Sequence, residues 1–224
     1  MTVLRAMAAL ALGASLMFSS WDYVVPHQNP EDILILVNKQ NRAPVEPMIL
    51  VKPDVPPTRE EISENIYMRP EAAQALEELF AGAKEAGLTL YATSGYRSYS
   101  TQQAIFKRKG DPNSKSVAKP GYSEHQTGLA MDVEGETTRG TGLTEAFGSS
   151  PEGIWLAEHC HEYGFIVRYP SDKEDITGVM YEPWHFRYVG VEAAAYMVEN
   201  NLCFEEFASL YRDIYSADNP PPAT

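Results

Sequence analysis

The 224-residue chain has little cysteine, a shortage of positive charge and no long apolar run. Each shortage removes a class of function. Only Cys160 and Cys203 occur, without C-x-x-C spacing, so a cysteine-built zinc site lacks its ligands. The two either pair or pack as separate buried thiols, and both readings stand. Lys plus Arg is 18 against 31 Asp plus Glu, a formal charge of −13. That balance offers no basic stripe for nucleic acid and no polybasic grip on anionic lipid. No stretch makes a clean run of the roughly 20 apolar residues that a bilayer span needs. Internal repeats are absent, and so is a regular βαβ alternation. The serine-hydrolase signature S-x-x-K fails as well, because Ser94-Gly95-Tyr96-Arg97 places Arg where that motif has Lys.

What is present describes an ordinary globular protein. The chain is 44% hydrophobic and 11% aromatic, enough to build a core without covalent staples. Arg5 is the only charge before Asp22, and Ala6 to Phe18 are thirteen apolar or small residues. A basic start and a short apolar stretch have the form of a secretory signal, with an uncleaved anchor as the alternative. Residues 1–20 are therefore expected to place the functional domain outside the cytoplasm. Eight of the 16 prolines fall between Pro26 and Pro70. Residues 21–60 read as an extended Pro-rich wrap, with a strand expected at Asp32–Val37. A domain over 61–215 and a loose tail over 216–224 complete the division.

Within the domain the periodicities alternate irregularly. Pro70 opens a helix with an apolar stripe of Leu76, Leu79, Phe80 and Ala83, and Gly87 suits its exit. Leu88–Thr93 reads as a strand, and Ser100-x-x-Gln103 as a capping box for a helix through Lys109. Residues 110–127 have loop composition. Leu129–Val133, Phe165–Tyr169 and His185–Val189 read as strands. A helix opens at Pro151 and ends before Gly164, and two more are expected at Val191–Glu199 and Phe204–Ile214. This order predicts an α+β fold with a mostly antiparallel sheet and flanking helices.

Two segments could carry chemistry. In Ser123-Glu124-His125-Gln126-Thr127-Gly128-Leu129-Ala130-Met131-Asp132, the small residues Gly128 and Ala130 share a strand face with Asp132 and leave it open. A carboxylate in an apolar strand needs a partner or a metal. In Tyr181-Glu182-Pro183-Trp184-His185, Glu182 and His185 fall on opposite faces of an ideal strand, but a bend at Pro183 would aim both into one cavity. Two His and one carboxylate are a catalytic zinc set, and the spare Glu182 would serve as general base. The plainer readings are a structural histidine, a capping Asp132, and a Glu182–Arg187 ion pair.

Three blocks decide between them: Ser94-Gly95-Tyr96-Arg97-Ser98, Ser123-x-His125-x-x-Gly128-x-Ala130-x-Asp132, and Glu182-Pro183-Trp184-His185-Phe186-Arg187-Tyr188. In this order they closely resemble the VanY-type D-alanyl-D-alanine carboxypeptidases, zinc peptidases of the hedgehog/DD-peptidase fold. The resemblance implies one Zn2+ held by His125, Asp132 and His185, with Glu182 as catalytic base. It implies that Arg97 binds substrate and steadies the developing oxyanion, and that Gln102 and Ser123 contact substrate. His27, His159 and His161 lie outside the motifs. Trp184 and Tyr96 either shape the pocket wall or simply pack beside it. The implied reaction releases D-alanine from peptidoglycan stem peptides on the wall side of a bacterial membrane. An L,D-carboxypeptidase or endopeptidase of the same fold is the nearest alternative, and a non-catalytic zinc- or wall-binding module the more distant one.

Overall fold

In this computed structural model, residues 33–43, 47 and 49–214 are described. Four strands, β1 (Leu90–Ser94), β2 (Ala130–Gly135), β3 (Phe165–Tyr169) and β4 (Glu182–Tyr188), form one sheet in the order β1-β2-β4-β3. Every neighbouring pair is antiparallel. The helices are α1 (Pro70–Glu85), α2 (Tyr99–Lys109), α3 (Pro151–His159), the single turn α4 (Glu174–Thr177), α5 (Val191–Glu199) and α6 (Phe204–Ile214). The α+β class expected from the sequence is the class observed.

Pro70 occupies the first turn of α1, where a missing N–H removes no intrahelical bond. The helix buries Ala72, Ala73, Leu76, Leu79, Phe80 and Ala83, a stripe at helical spacing. That stripe packs on Leu90, Ala92, Met131, Val133, Phe165 and Phe186 of the sheet. Each fully buried Leu or Phe there contributes about 1.5–3 kcal/mol relative to exposure. A second cluster joins Leu34, Leu36, Ile166 and Val189 to Ala194, Met197, Phe204 and Phe207 of α5 and α6.

Strand alternation divides labour between the two faces of the sheet. Met131 pairs with Phe186 and both enter the core, while Asp132 pairs directly with His185 on the other face. The β3–β4 register slips between these positions. Val167 opposes Phe186, but Tyr169 opposes Glu182, so β4 carries two extra residues across that step. This bulge supplies the bend that Pro183 suggested, and β4 begins at Glu182 rather than at His185.

Two further expectations are corrected. Residues 33–37 form no strand, although Leu34 to Val37 are buried; Asp32 lies outside the described residues. The Ile33 and Ile35 carbonyls accept hydrogen bonds from Arg187 Nη2, both at 2.8 Å, so a side chain does the work of a ladder partner. The cap of α2 is Ser98, not Ser100: the Ser98 hydroxyl accepts from Thr101 N at 3.2 Å. Cys160 and Cys203 are free, buried thiols, and burial pushes them up to about 12 and about 11. The expected export segment, His27 and the 216–224 tail lie outside the described residues. Among those described, no helix is long and apolar enough to cross a membrane.

Candidate metal centre and its cavity

The site is assembled by backbone contacts between the motif segments. Beyond β1 the chain passes through Gly95, where an added Cβ would lie 2.5 Å from the Tyr67 carbonyl oxygen. The Gly95 carbonyl sits 2.7 Å from His125 Nδ1, and the Arg97 N–H donates to the His125 carbonyl at 3.1 Å. His125 itself lies in a single 3₁₀ turn, Glu124–Thr127. Gly128, at φ +71°, then turns the chain into β2. Asp132 is flanked by Ser94 on β1 and His185 on β4.

His125, Asp132 and His185 are all buried, and one ligand atom from each lies within 4.8 Å of the others. His185 Nδ1 is 2.9 Å from Asp132 Oδ1, and His125 Nε2 is 3.4 Å from the same oxygen. The two rings meet edge-on, their centroids 4.8 Å apart. With Nδ1–H donating to Gly95, His125 presents an Nε2 lone pair to this cluster, and that buried atom has no hydrogen-bond partner. An orphaned buried imidazole nitrogen beside a carboxylate and a second imidazole fits a metal ion. Two nitrogens and one oxygen are the donor set of a catalytic zinc with a position left for water.

A cavity of about 650 Å³ opens over the cluster. His125, Asp132, Glu182, His185, Arg97, Gln102 and Ser123 all line it, so every site residue expected from the sequence is brought together there. Trp184 lines the cavity too while packing into the core; Tyr96 is not among the lining residues. Residues 112–119 supply one wall, with Lys115 and Lys119, and Lys39 stands among the other lining residues. His159 pairs with Glu162 at 2.8 Å, and neither His159 nor His161 lines the cavity.

Burial pushes the Glu182 carboxyl up to about 7, aided by Asp132 and opposed by His185 and Arg97. Burial lowers His125 to about 4. Burial alone would also lower His185, but hydrogen bonds to Asp132 and Glu124 outweigh it and push His185 up to about 9. Asp132 stays well below the ordinary carboxylate range, because His125 and His185 outweigh its desolvation. The Arg97 guanidinium donates from Nη1 to Gln102 Oε1 at 3.2 Å and lies 3.8 Å from Asp132 Oδ2, while its buried Nε has no partner. Gln102 in turn donates to the Ala118 carbonyl at 2.7 Å, tying Arg97 to the 112–119 wall.

Glu182 does not pair with Arg187. Arg187 Nη1 instead donates to Glu124 at 2.9 Å. Glu124 and Arg168 carry no role in the sequence reading, and Arg187 enters it only as a partner for Glu182. Arg168 donates to Glu124 at 2.8 Å and forks onto both Glu205 oxygens at 2.8 and 2.7 Å. A signal for them exists: arginines inside the apolar segments Phe165–Tyr169 and Trp184–Tyr188 demand buried acids.

Comparisons with known proteins agree with this geometry. Residues 65–191 match the VanY family, D-alanyl-D-alanine carboxypeptidase. The chain is 51% identical over 187 residues to the putative carboxypeptidase YodJ of Bacillus subtilis, a match covering 80% of this chain and 68% of that one. The chain spans about half to two thirds of the length of the more similar curated relatives. Among solved structures, the LdcB LD-carboxypeptidase superposes with a TM-score of 0.75 at 49% identity, covering 81% of this chain and 88% of that one. The vancomycin-resistance D,D-pentapeptidase VanY, as a mutant in complex with Zn(II), gives 0.63 at 36% identity, covering 78% and 97%.

Proposed function

The chain belongs to the VanY family of D-alanyl-D-alanine carboxypeptidases, and on that premise we propose that it is a zinc-dependent carboxypeptidase that removes the terminal D-alanine from peptidoglycan stem peptides. The observation that carries the reading is the meeting of His125, Asp132 and His185 in one cavity with a buried, raised-pKa Glu182. His125, Asp132 and His185 would hold the ion. Zinc in that donor set supplies Lewis acidity toward water and toward a carbonyl.

The remaining steps belong to the chain's own groups. Glu182, in its ionised form, takes the proton of the attacking water and returns it to the departing amine. Arg97, with Nε unpartnered and Nη1 held by Gln102, faces the negative charge of the substrate terminus or of the developing oxyanion. Gln102 thus acts mainly by holding Arg97, and Ser123 lines the same wall. Residues 61–215 would form the catalytic unit, with 21–60 wrapping it, and residues 1–20 would deliver it to the wall side of the membrane.

A second reading has its own support, since the LdcB LD-carboxypeptidase is more similar than the D,D-pentapeptidase in both fold and identity. It would trim tetrapeptides to tripeptides rather than pentapeptides to tetrapeptides. Mass spectrometry of defined penta- and tetrapeptide muropeptides after incubation separates the two. Loss of one alanine from the pentapeptide alone supports the D,D reading, and loss from the tetrapeptide alone supports L,D. Turnover that survives chelation, or that survives Glu182→Ala, overturns the zinc mechanism.

A further inference from the structure

We propose that Glu124 is a positioning residue for the metal centre: its Oε2 holds the far nitrogen of His185, so that Nδ1 is presented to the ion. The inference rests on the zinc reading above. Its basis is a division of labour within one carboxylate. Oε1 accepts from both buried arginines, Arg168 Nε at 2.8 Å and Arg187 Nη1 at 2.9 Å. Oε2 receives neither, and faces His185 Nε2 at 3.5 Å. A carboxylate that served only to neutralise two arginines would have no reason to reserve an oxygen for an imidazole.

The two histidines are arranged as complements. His125 gives Nδ1 to the Gly95 carbonyl and keeps Nε2 for the cluster. His185 does the reverse, keeping Nδ1 beside Asp132 Oδ1 and turning Nε2 to Glu124. A ligating histidine with one ring nitrogen on the metal has its tautomer and ring plane set by whatever holds the other. Glu124 is itself buried and tethered. It is 2% exposed, and Arg187 also grips the carbonyls of Ile33 and Ile35. Arg168 is forked onto Glu205 of α6. The imidazole therefore rests on a frame fixed from three elements.

The test is zinc affinity of the full chain, read by competition with a chelator, with far-UV circular dichroism as the check on folding. Glu124→Gln keeps the shape and removes the charge; its zinc affinity is expected to fall by about 10–100-fold. Glu205→Gln strips a carboxylate from the same Arg168 without touching His185, and is expected to bind zinc like the wild type. An equal loss in both variants, or no loss in Glu124→Gln, overturns the proposal. If Glu124→Gln does not fold, Glu124→Asp withdraws the carboxylate by one methylene while keeping its charge. A folded Glu124→Asp with wild-type zinc affinity overturns it equally. Failure of the wild type to bind zinc would strike the metal reading instead, a separate result.

Discussion

Two buried polar clusters share this molecule and are built on opposite principles. In one, Arg168, Arg187, Glu124 and Glu205 interlock with carbonyls and Asn38, and contacts of 2.7–3.1 Å leave their charges matched. In the other, His125 Nε2 and Arg97 Nε are buried with nothing to bond, and a carboxyl is pushed up to about 7 by burial. Burying a polar atom without a partner costs about 1–3 kcal/mol. The first cluster avoids that cost; the second bears it at the floor of an open cavity. A fold that saturates one charge network and leaves its neighbour short of partners has separated scaffold from chemistry. Glu124 and Tyr169 each touch both.

That separation can be broken by experiment. Glu182→Gln should lower kcat by about 10²–10⁴-fold while metal content and fold persist, as checked by D-alanine release and by metal analysis. Arg168→Met should act in the opposite currency. It leaves Glu124 and Glu205 short of a partner and should cost about 3–5 kcal/mol of stability, measured by urea unfolding. A loss of rate without loss of stability there would merge the two clusters. Arg97→Ala should cost about 10²–10³-fold in kcat/KM with an unchanged unfolding midpoint.

The pH profile sharpens the comparison further. Glu182 is a base only when ionised, so kcat/KM should rise with pH along an acid limb at or below about 7, because a cation in the cluster draws the carboxyl down. In the metal-stripped protein its raised folded value means that stability falls as pH climbs from the unfolded carboxyl range of about 4 toward 7. Glu182→Gln should therefore raise the melting temperature of the stripped protein at pH 8. The smallest effect is expected from reductant: the thiols are free, so dithiothreitol should leave the melting temperature where it was.

Local pattern carried much of the fold. The boundaries of β3, α5 and α6 follow directly from β-branched and amphipathic spacing. Legibility fails where a distant side chain substitutes for local pairing. Residues 33–37 have the composition of a strand, yet their carbonyls are taken by Arg187, more than 150 positions away. The site shows the same split. Histidine and carboxylate spacing brought out His125, Asp132, Glu182 and His185. Glu124 stood in the same motif and passed unremarked, because its partners come from β3 and β4 and no sequence interval announces them.

The slip in β4 has a further consequence for how this enzyme tolerates change. Glu182 and His185 share a cavity because two surplus residues are folded into the strand between Tyr169 and Val167 opposite. Their spacing is a matter of chain length rather than of side-chain identity. Replacing Trp184 alters a wall, whereas deleting any one residue from 183 to 184 would rotate the base out of step with its imidazole. Substitution at Trp184 thus tests the wall and the core packing it joins, whereas the length of the segment sets the register of the base.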